Sequence, residues 1–153
     1  MIDPGALHDL MGRWWWNYDE GRFDVLAGAI TDDIHFTCRT DTGQTDWEEF
    51  VRADVRGAGD FLHWQAQHRL DSPYPLRHNG TNVHIVDQRG SEATFSSYIL
   101  VTQVVQGSPS TIPGGIVNGT VRLVDGELRL CQMEVVLDTI ESGLFKDLRA
   151  LQR

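Results

Sequence analysis

The chain has 153 residues, 41% of them in the hydrophobic set, and this suits one domain whose core needs no disulfide or structural metal to hold it. Thirteen Lys and Arg face 22 Asp and Glu, a formal charge of −9 that would repel phosphate backbones, so nucleic acid is excluded as a partner. No apolar run approaches the roughly 20 residues of a membrane span, and Met1 to Gly5 carry neither a basic nor an apolar leader segment; the expectation is a cytoplasmic protein with no membrane partner.

In chain order, Asp3-Pro4 has the form of a helix cap and first helical position, because proline lacks only an N–H that would be unpaired there. Leu7, Leu10, Met11, Trp14, Trp15 and Tyr18 then recur at helical spacing and give that helix one broad apolar face, which Gly21 ends. Adjacent residues on a helix are about 100° apart, so the run Trp14-Trp15-Trp16 cannot face one way. A second short helix carries Phe23, Leu26, Ala27 and Ile30, and a strand is expected over 34–39. Thr45 and Glu48 have the spacing of a capping box, with Phe50, Val51 and Val55 on the buried side of the helix it would open. Glycines and prolines punctuate 57–75, read as a short helix and a loop.

From Asn82 the character changes. Segments 82–86, 93–105, 116–124 and 128–137 are rich in β-branched and apolar residues and should form one antiparallel sheet, with a loop over 107–115. Asp125-Gly126 is the strongest hairpin signal, since a type I′ turn needs positive φ twice. A last amphipathic helix is expected over 142–151. Helices first and hairpin-linked strands after define an α+β domain spanning 1–153, in which a strongly curved sheet wraps the N-terminal helices and leaves a pocket.

Two residues could carry proton chemistry there. Asp19, at the end of the first helix, is better placed than Glu20 to face the interior, and His78 stands before the long strands with a side chain that titrates near neutrality. A buried carboxylate on one imidazole nitrogen would fix the tautomer and free the other nitrogen as a base. Each also has a plain alternative, a solvent-facing acid at a turn and a loop histidine beside Asn79-Gly80. His35 and His84 fall within strands as structural histidines, while His63 and His68 could line a pocket mouth. Phe95, Tyr98, Trp64 and Met133 are possible walls, although alternation alone does not say which parity points inward. Cys38 and Cys131 have no CxxC partner, no HExxH or HxxxH spacing occurs, and the glycines match no nucleotide-binding loop, so neither a metal nor a cofactor is expected.

Several segments together resemble a family. Tyr18-Asp19-Glu20-Gly21-Arg22-Phe23-Asp24, Thr31-Asp32-Asp33-Ile34-His35-Phe36, Arg77-His78-Asn79-Gly80-Thr81-Asn82 and Val124-Asp125-Gly126-Glu127-Leu128 resemble, in order, stretches of the SnoaL-like, scytalone dehydratase-like group of the NTF2-like superfamily. The resemblance covers about Leu7 to Val136 and implies the conical fold of that superfamily, its sheet mixed or antiparallel. It also implies that His78 transfers the proton, that Asp19 orients it, and that Tyr18 and Trp14 lie near the substrate. The second histidine of the dehydratases has no counterpart, its position falling near Gln103. The implied activity is cofactor-independent acid-base chemistry on a small, mostly apolar carbonyl or polyketide-like compound, by dehydration, isomerisation or cyclisation. The alternative is a noncatalytic ligand-binding or structural module such as a dioxygenase small subunit. Either would be a homodimer or higher homo-oligomer, because the outer side of the long strands carries apolar residues.

Overall fold

The computed structural model describes residues 1–148. Helix α1 (Pro4–Asp19) starts as its sequence dictates: the Asp3 carboxylate accepts from the Gly5 N–H at 3.1 Å, and Pro4 occupies the first turn. Its apolar face is buried along its length, and fully burying a side chain such as Leu7 contributes about 1.5–3 kcal/mol. Gly21, at φ +65°, turns the chain out and donates to the Tyr18 carbonyl. After α2 (Phe23–Ala27) come β1 (Ile30–Thr40), α3 (Glu48–Val51), β2 (Ala53–Arg56) and α4 (Ala58–Leu70). The long strands β3 (Leu76–Arg89), β4 (Glu92–Val105), β5 (Ser108–Val124) and β6 (Glu127–Leu137) follow, then a single turn, α5 (Phe145–Leu148). Of the helix expected over 142–151, residues 142–144 are not helical and 149–151 lie outside the described residues.

The six strands form one sheet in the order β2-β1-β6-β5-β4-β3. It is mixed: β1 runs parallel to β6, and every other neighbouring pair is antiparallel. Asp125 and Gly126 take φ of 51° and 84°, the two positive values that the β5–β6 hairpin requires.

Four local expectations give way to tertiary contacts. Thr45 and Glu48 form no capping box, because the Glu48 carboxylate is buried and accepts from the Thr40 N–H at 3.2 Å and the Thr40 hydroxyl at 2.5 Å, leaving α3 one turn long. Val55 then belongs to a strand, β2. The segment read as a short helix and loop is mostly the 13-residue α4, for which Gly57, at φ +85°, stands just outside the first turn. Gly114 and Gly115 sit inside β5 and not in a loop: a Cβ there would lie 2.4 Å from the Ile99 carbonyl and 2.1 Å from that of Val136, so only glycine lets these backbones close. Asn79-Gly80 is likewise no turn but part of β3, where a Cβ on Gly80 would stand 3.0 Å from the Trp15 ring.

The sheet's inner face carries Ala93, Phe95, Ile99 and Val101 of β4 with Val117, Val121, Leu130 and Met133, all buried. The alternate residues Tyr98 and Leu100 are exposed on the outer face. The core fills the space between α1 and this inner face. A chamber remains between the sheet and the residues of α3 and α4.

Candidate active site

The three tryptophans of α1 part as helical geometry requires. Trp14 enters the core and stacks on Phe61 at 5.6 Å, Trp16 is exposed, and Trp15 lies parallel to the His78 ring at 5.1 Å and 10°. Glycine at position 80 gives the Trp15 indole its room beside β3.

The end of α1 is pinned by a buried cation. Arg69 of α4 donates twice to the main-chain carbonyl of Asp19, at 3.0 and 2.8 Å, and once to that of Pro73 at 3.0 Å, a favourable placement for positive charge at a helix C-terminus. Glu20 turns outward to Arg77 at 3.1 Å, while the Asp19 side chain is buried. β3 is an edge strand, and His78 gives Asp19 two contacts: its main-chain N–H donates to Oδ2 at 2.8 Å, and ring Nδ1 lies 2.6 Å from Oδ1. The ring is therefore Nδ1-protonated in its neutral form, which leaves Nε2 as a base. Nε2 has no partner among the described residues, and His78 lines the chamber.

A second histidine stands on the same chamber. Nδ1 of His68, on α4, lies 2.6 Å from the Tyr18 hydroxyl, and its ring is stacked on Trp64 at 4.7 Å and 11° with Phe50 at 4.5 Å on its surface. Burial, helped by the electrostatic influence of neighbouring His78 and of the Arg69 cation, pushes the His68 pKa down to about 4. Burial also raises the Tyr18 phenol well above its usual range. Both are neutral near pH 7, and among the described residues neither has another hydrogen-bond partner; a phenol that donates to Nδ1 leaves one group unpaired, the buried His68 Nε2–H, whereas the opposite tautomer leaves two, so the phenol is the donor.

The chamber has a volume of about 320 Å³, at the small end for ligand pockets. Phe36, Ile99, Val101, Met133, Val135 and Leu137 make its walls apolar, and the partly exposed Trp47 and Phe50 stand where it meets solvent. Cys38 also lines it, but burial first and the Glu48 charge second push its thiol up to about 12, so it is no nucleophile near neutral pH. Among the described residues no group of three or more His, Cys, Asp or Glu could hold a metal ion, and no helix is long and apolar enough to cross a membrane.

Of the residues singled out in the sequence, Asp19, His78, Tyr18 and Trp64 meet at or beside this chamber. His63, Trp14, Phe95, Tyr98 and Gln103 do not line it. Trp14 is one helical step away from Trp15 and is spent on the core. Phe95 is on the inner face but fully buried, covering Gly119, whose Cβ would lie 2.6 Å from its ring. Tyr98 has the opposite parity and is 56% exposed outside the sheet. Gln103 shares the parity of Val101 and pairs with Leu76, which lines the chamber, but is not itself part of the lining. Gln65 was not foreseen, and His68 only as a mouth residue; the signal was the spacing Phe61, Trp64-Gln65, His68, hidden by Gly57 and Gly59.

A curved mixed sheet packed on an N-terminal helix, with a chamber beside it, is an NTF2-like fold. The model of the SnoaL-like domain matches residues 2–134, and the chain belongs to that family. Among solved structures it is similar to an NTF2-like protein with a cystatin-like fold from Novosphingobium aromaticivorans (18% identity, 99% of this chain and 89% of that one, TM-score 0.73). From the same organism come the β subunit of a candidate aromatic-ring-hydroxylating dioxygenase (16%, 91% and 91%, TM-score 0.72) and a candidate scytalone dehydratase (16%, 91% and 87%, TM-score 0.69). At these identities the likeness is one of fold. No curated protein matches the chain.

Proposed function

We propose that the protein is an acid-base enzyme that removes the α proton of a small, mostly apolar ketone, with dehydration of a β-hydroxy ketone as its reaction. The observation that carries this is the 2.6 Å contact between buried Asp19 and His78 Nδ1, with Nε2 unpartnered on an apolar chamber. In the reaction Nε2 takes the α proton, the C–H electron pair becomes the new C=C bond, and the β C–O bond breaks. The imidazolium returns its proton to the departing hydroxide, so one water leaves and His78 is regenerated. Asp19 holds the ring in register and offsets the transient positive charge. Trp15, flat against the ring, restricts its rotation and shields one face from water.

The test uses two bicyclic probes. Wild type should exchange the α protons of 1-tetralone for deuterium and convert 3-hydroxy-1-tetralone to 1-naphthol, with His78→Gln about 10²–10⁴-fold slower in both. Equal rates in wild type and variant would remove His78 from the chemistry. The second reading, a noncatalytic module, draws on the exposed apolar residues Tyr98 and Leu100 of the outer sheet face; it predicts binding of the ketone with no exchange above the background rate.

A further inference from the structure

Gln65 is the least explained side chain of the chamber. It is only 4% exposed, it lines the cavity, and its carboxamide makes no hydrogen bond with any described residue. An amide has two donors and two acceptor lone pairs, neither its nitrogen nor its oxygen is fully buried here, and a purely apolar wall would carry leucine or methionine at this position. One turn further along α4, on the same face, His68 holds its Nε2 proton equally without an acceptor. Two N–H donors thus stand together on one helix face beside walls that are mostly hydrocarbon, and of the two the Gln65 amide is the one that reaches the chamber, since His68 Nε2 is itself buried.

Tyr18 is not free to serve as that donor. Its hydroxyl proton is committed to His68 Nδ1, which is what fixes the His68 proton on Nε2. The acceptor the Gln65 amide lacks must come from outside the chain, and it must be a strong one attached to an apolar body. The alternation of one polar helix face with apolar sheet walls would align such a molecule, oxygen toward α4.

We propose that the Gln65 carboxamide is the oxygen-binding pole that takes the carbonyl oxygen of a cyclic ketone, and that Gln65 is thereby the specificity-determining residue. This deepens the reading of the site as a ketone enzyme and rests on it for the choice of carbonyl among oxygen acceptors. In the proton abstraction above, the negative charge that develops on that oxygen would meet the Gln65 N–H, with no proton moved.

Binding can be followed by the fluorescence of Trp15, Trp47 and Trp64, which all line the chamber. The probes are 1-tetralone and tetralin, which differ by the carbonyl oxygen. Wild type should bind 1-tetralone about tenfold more tightly, the yield of one well-made hydrogen bond with its desolvation paid. In Gln65→Leu and, as a second shape, Gln65→Met, the preference should shrink to about twofold, with tetralin binding at least as well as to wild type. A preference that stays near tenfold in both variants, or a wild type that does not discriminate, would overturn the pole. The two readings fail separately. A wild type that discriminates through Gln65 but exchanges no α protons keeps the pole and loses the base, whereas His78→Gln should leave the preference intact.

Discussion

Two imidazoles of one chamber are set to opposite tasks by the partner each one hydrogen-bonds and by how deeply each is packed. His78 meets a carboxylate and a main-chain constraint, both from Asp19, so its ring is oriented and any positive charge it acquires is offset. His68 meets a phenol, and is packed between Trp64, Phe50 and Tyr18, so its charged form is disfavoured and its pKa falls to about 4. A histidine against an acid can cycle a proton; a histidine against a buried hydroxyl can only hold one in place. Tyr18 links the two ends, edge-on to the His78 ring at 5.2 Å while its hydroxyl serves His68.

The contrast breaks most completely at Asp19. Asp19→Asn keeps the shape but can present an amide N–H to Nδ1, which turns the ring toward the tautomer whose Nε2 is protonated and useless as a base. We expect α-proton exchange in 1-tetralone to fall by about 10²–10⁴-fold with 1-tetralone affinity within about threefold of wild type. Exchange at the wild-type rate would show that the carboxylate only braces the fold. Arg69, which grips the Asp19 carbonyl and not its carboxylate, gives the variant a reason to stay folded.

The second break is at the phenol. Tyr18→Phe removes the donor to His68 Nδ1 and leaves a buried acceptor empty, a loss of about 1–3 kcal/mol in stability by chemical denaturation. Because the hydroxyl, in this arrangement, donates to His68 and not to the ligand, the exchange rate should fall far less than in Asp19→Asn. A collapse in rate equal to that of Asp19→Asn would mean that Tyr18 touches the reacting ketone directly.

Much of this was legible in the residues, and the illegible part has a common cause. The α1 face, its Asp3-Pro4 start and the Asp125-Gly126 hairpin depend on neighbours in sequence, and they stand where the local pattern puts them. Asn79-Gly80 and Gly114-Gly115 carry local turn signals, yet they are strand residues, because glycine there makes room for Trp15 and for the Ile99 and Val136 carbonyls. Position 78 could be singled out, but its approach to Asp19, 59 residues earlier, depends on β3 starting at Leu76. The opposite character of His68 was out of reach for the same reason. Nothing near it in the chain announces that Tyr18, 50 residues away, will supply its partner. Trp14, Phe95, Tyr98 and Gln103 show the complement: residue type suggested a pocket wall, and their places on the helix or strand decided otherwise.

The smallest effect sharpens the comparison through pH. In the unfolded chain His68 takes a proton as pH falls through about 6.5, but in the folded protein only near 4. Between those values the unfolded state binds more protons, so the stability due to burying the neutral ring is complete above about 6.5 and is lost as pH falls toward 4. The electrostatic influence of His78 and of the Arg69 cation deepens that window and Asp71 opposes it. Denaturation of wild type and His68→Phe at steps from pH 7 to 4 should give curves that converge on the acid side, since phenylalanine has no proton to take up and the carboxylates common to both proteins cancel in the difference. A difference constant across the window would mean that His68 is protonated as readily in the folded chamber as in water, and the neutral donor assigned to it would be lost along with the contrast to His78.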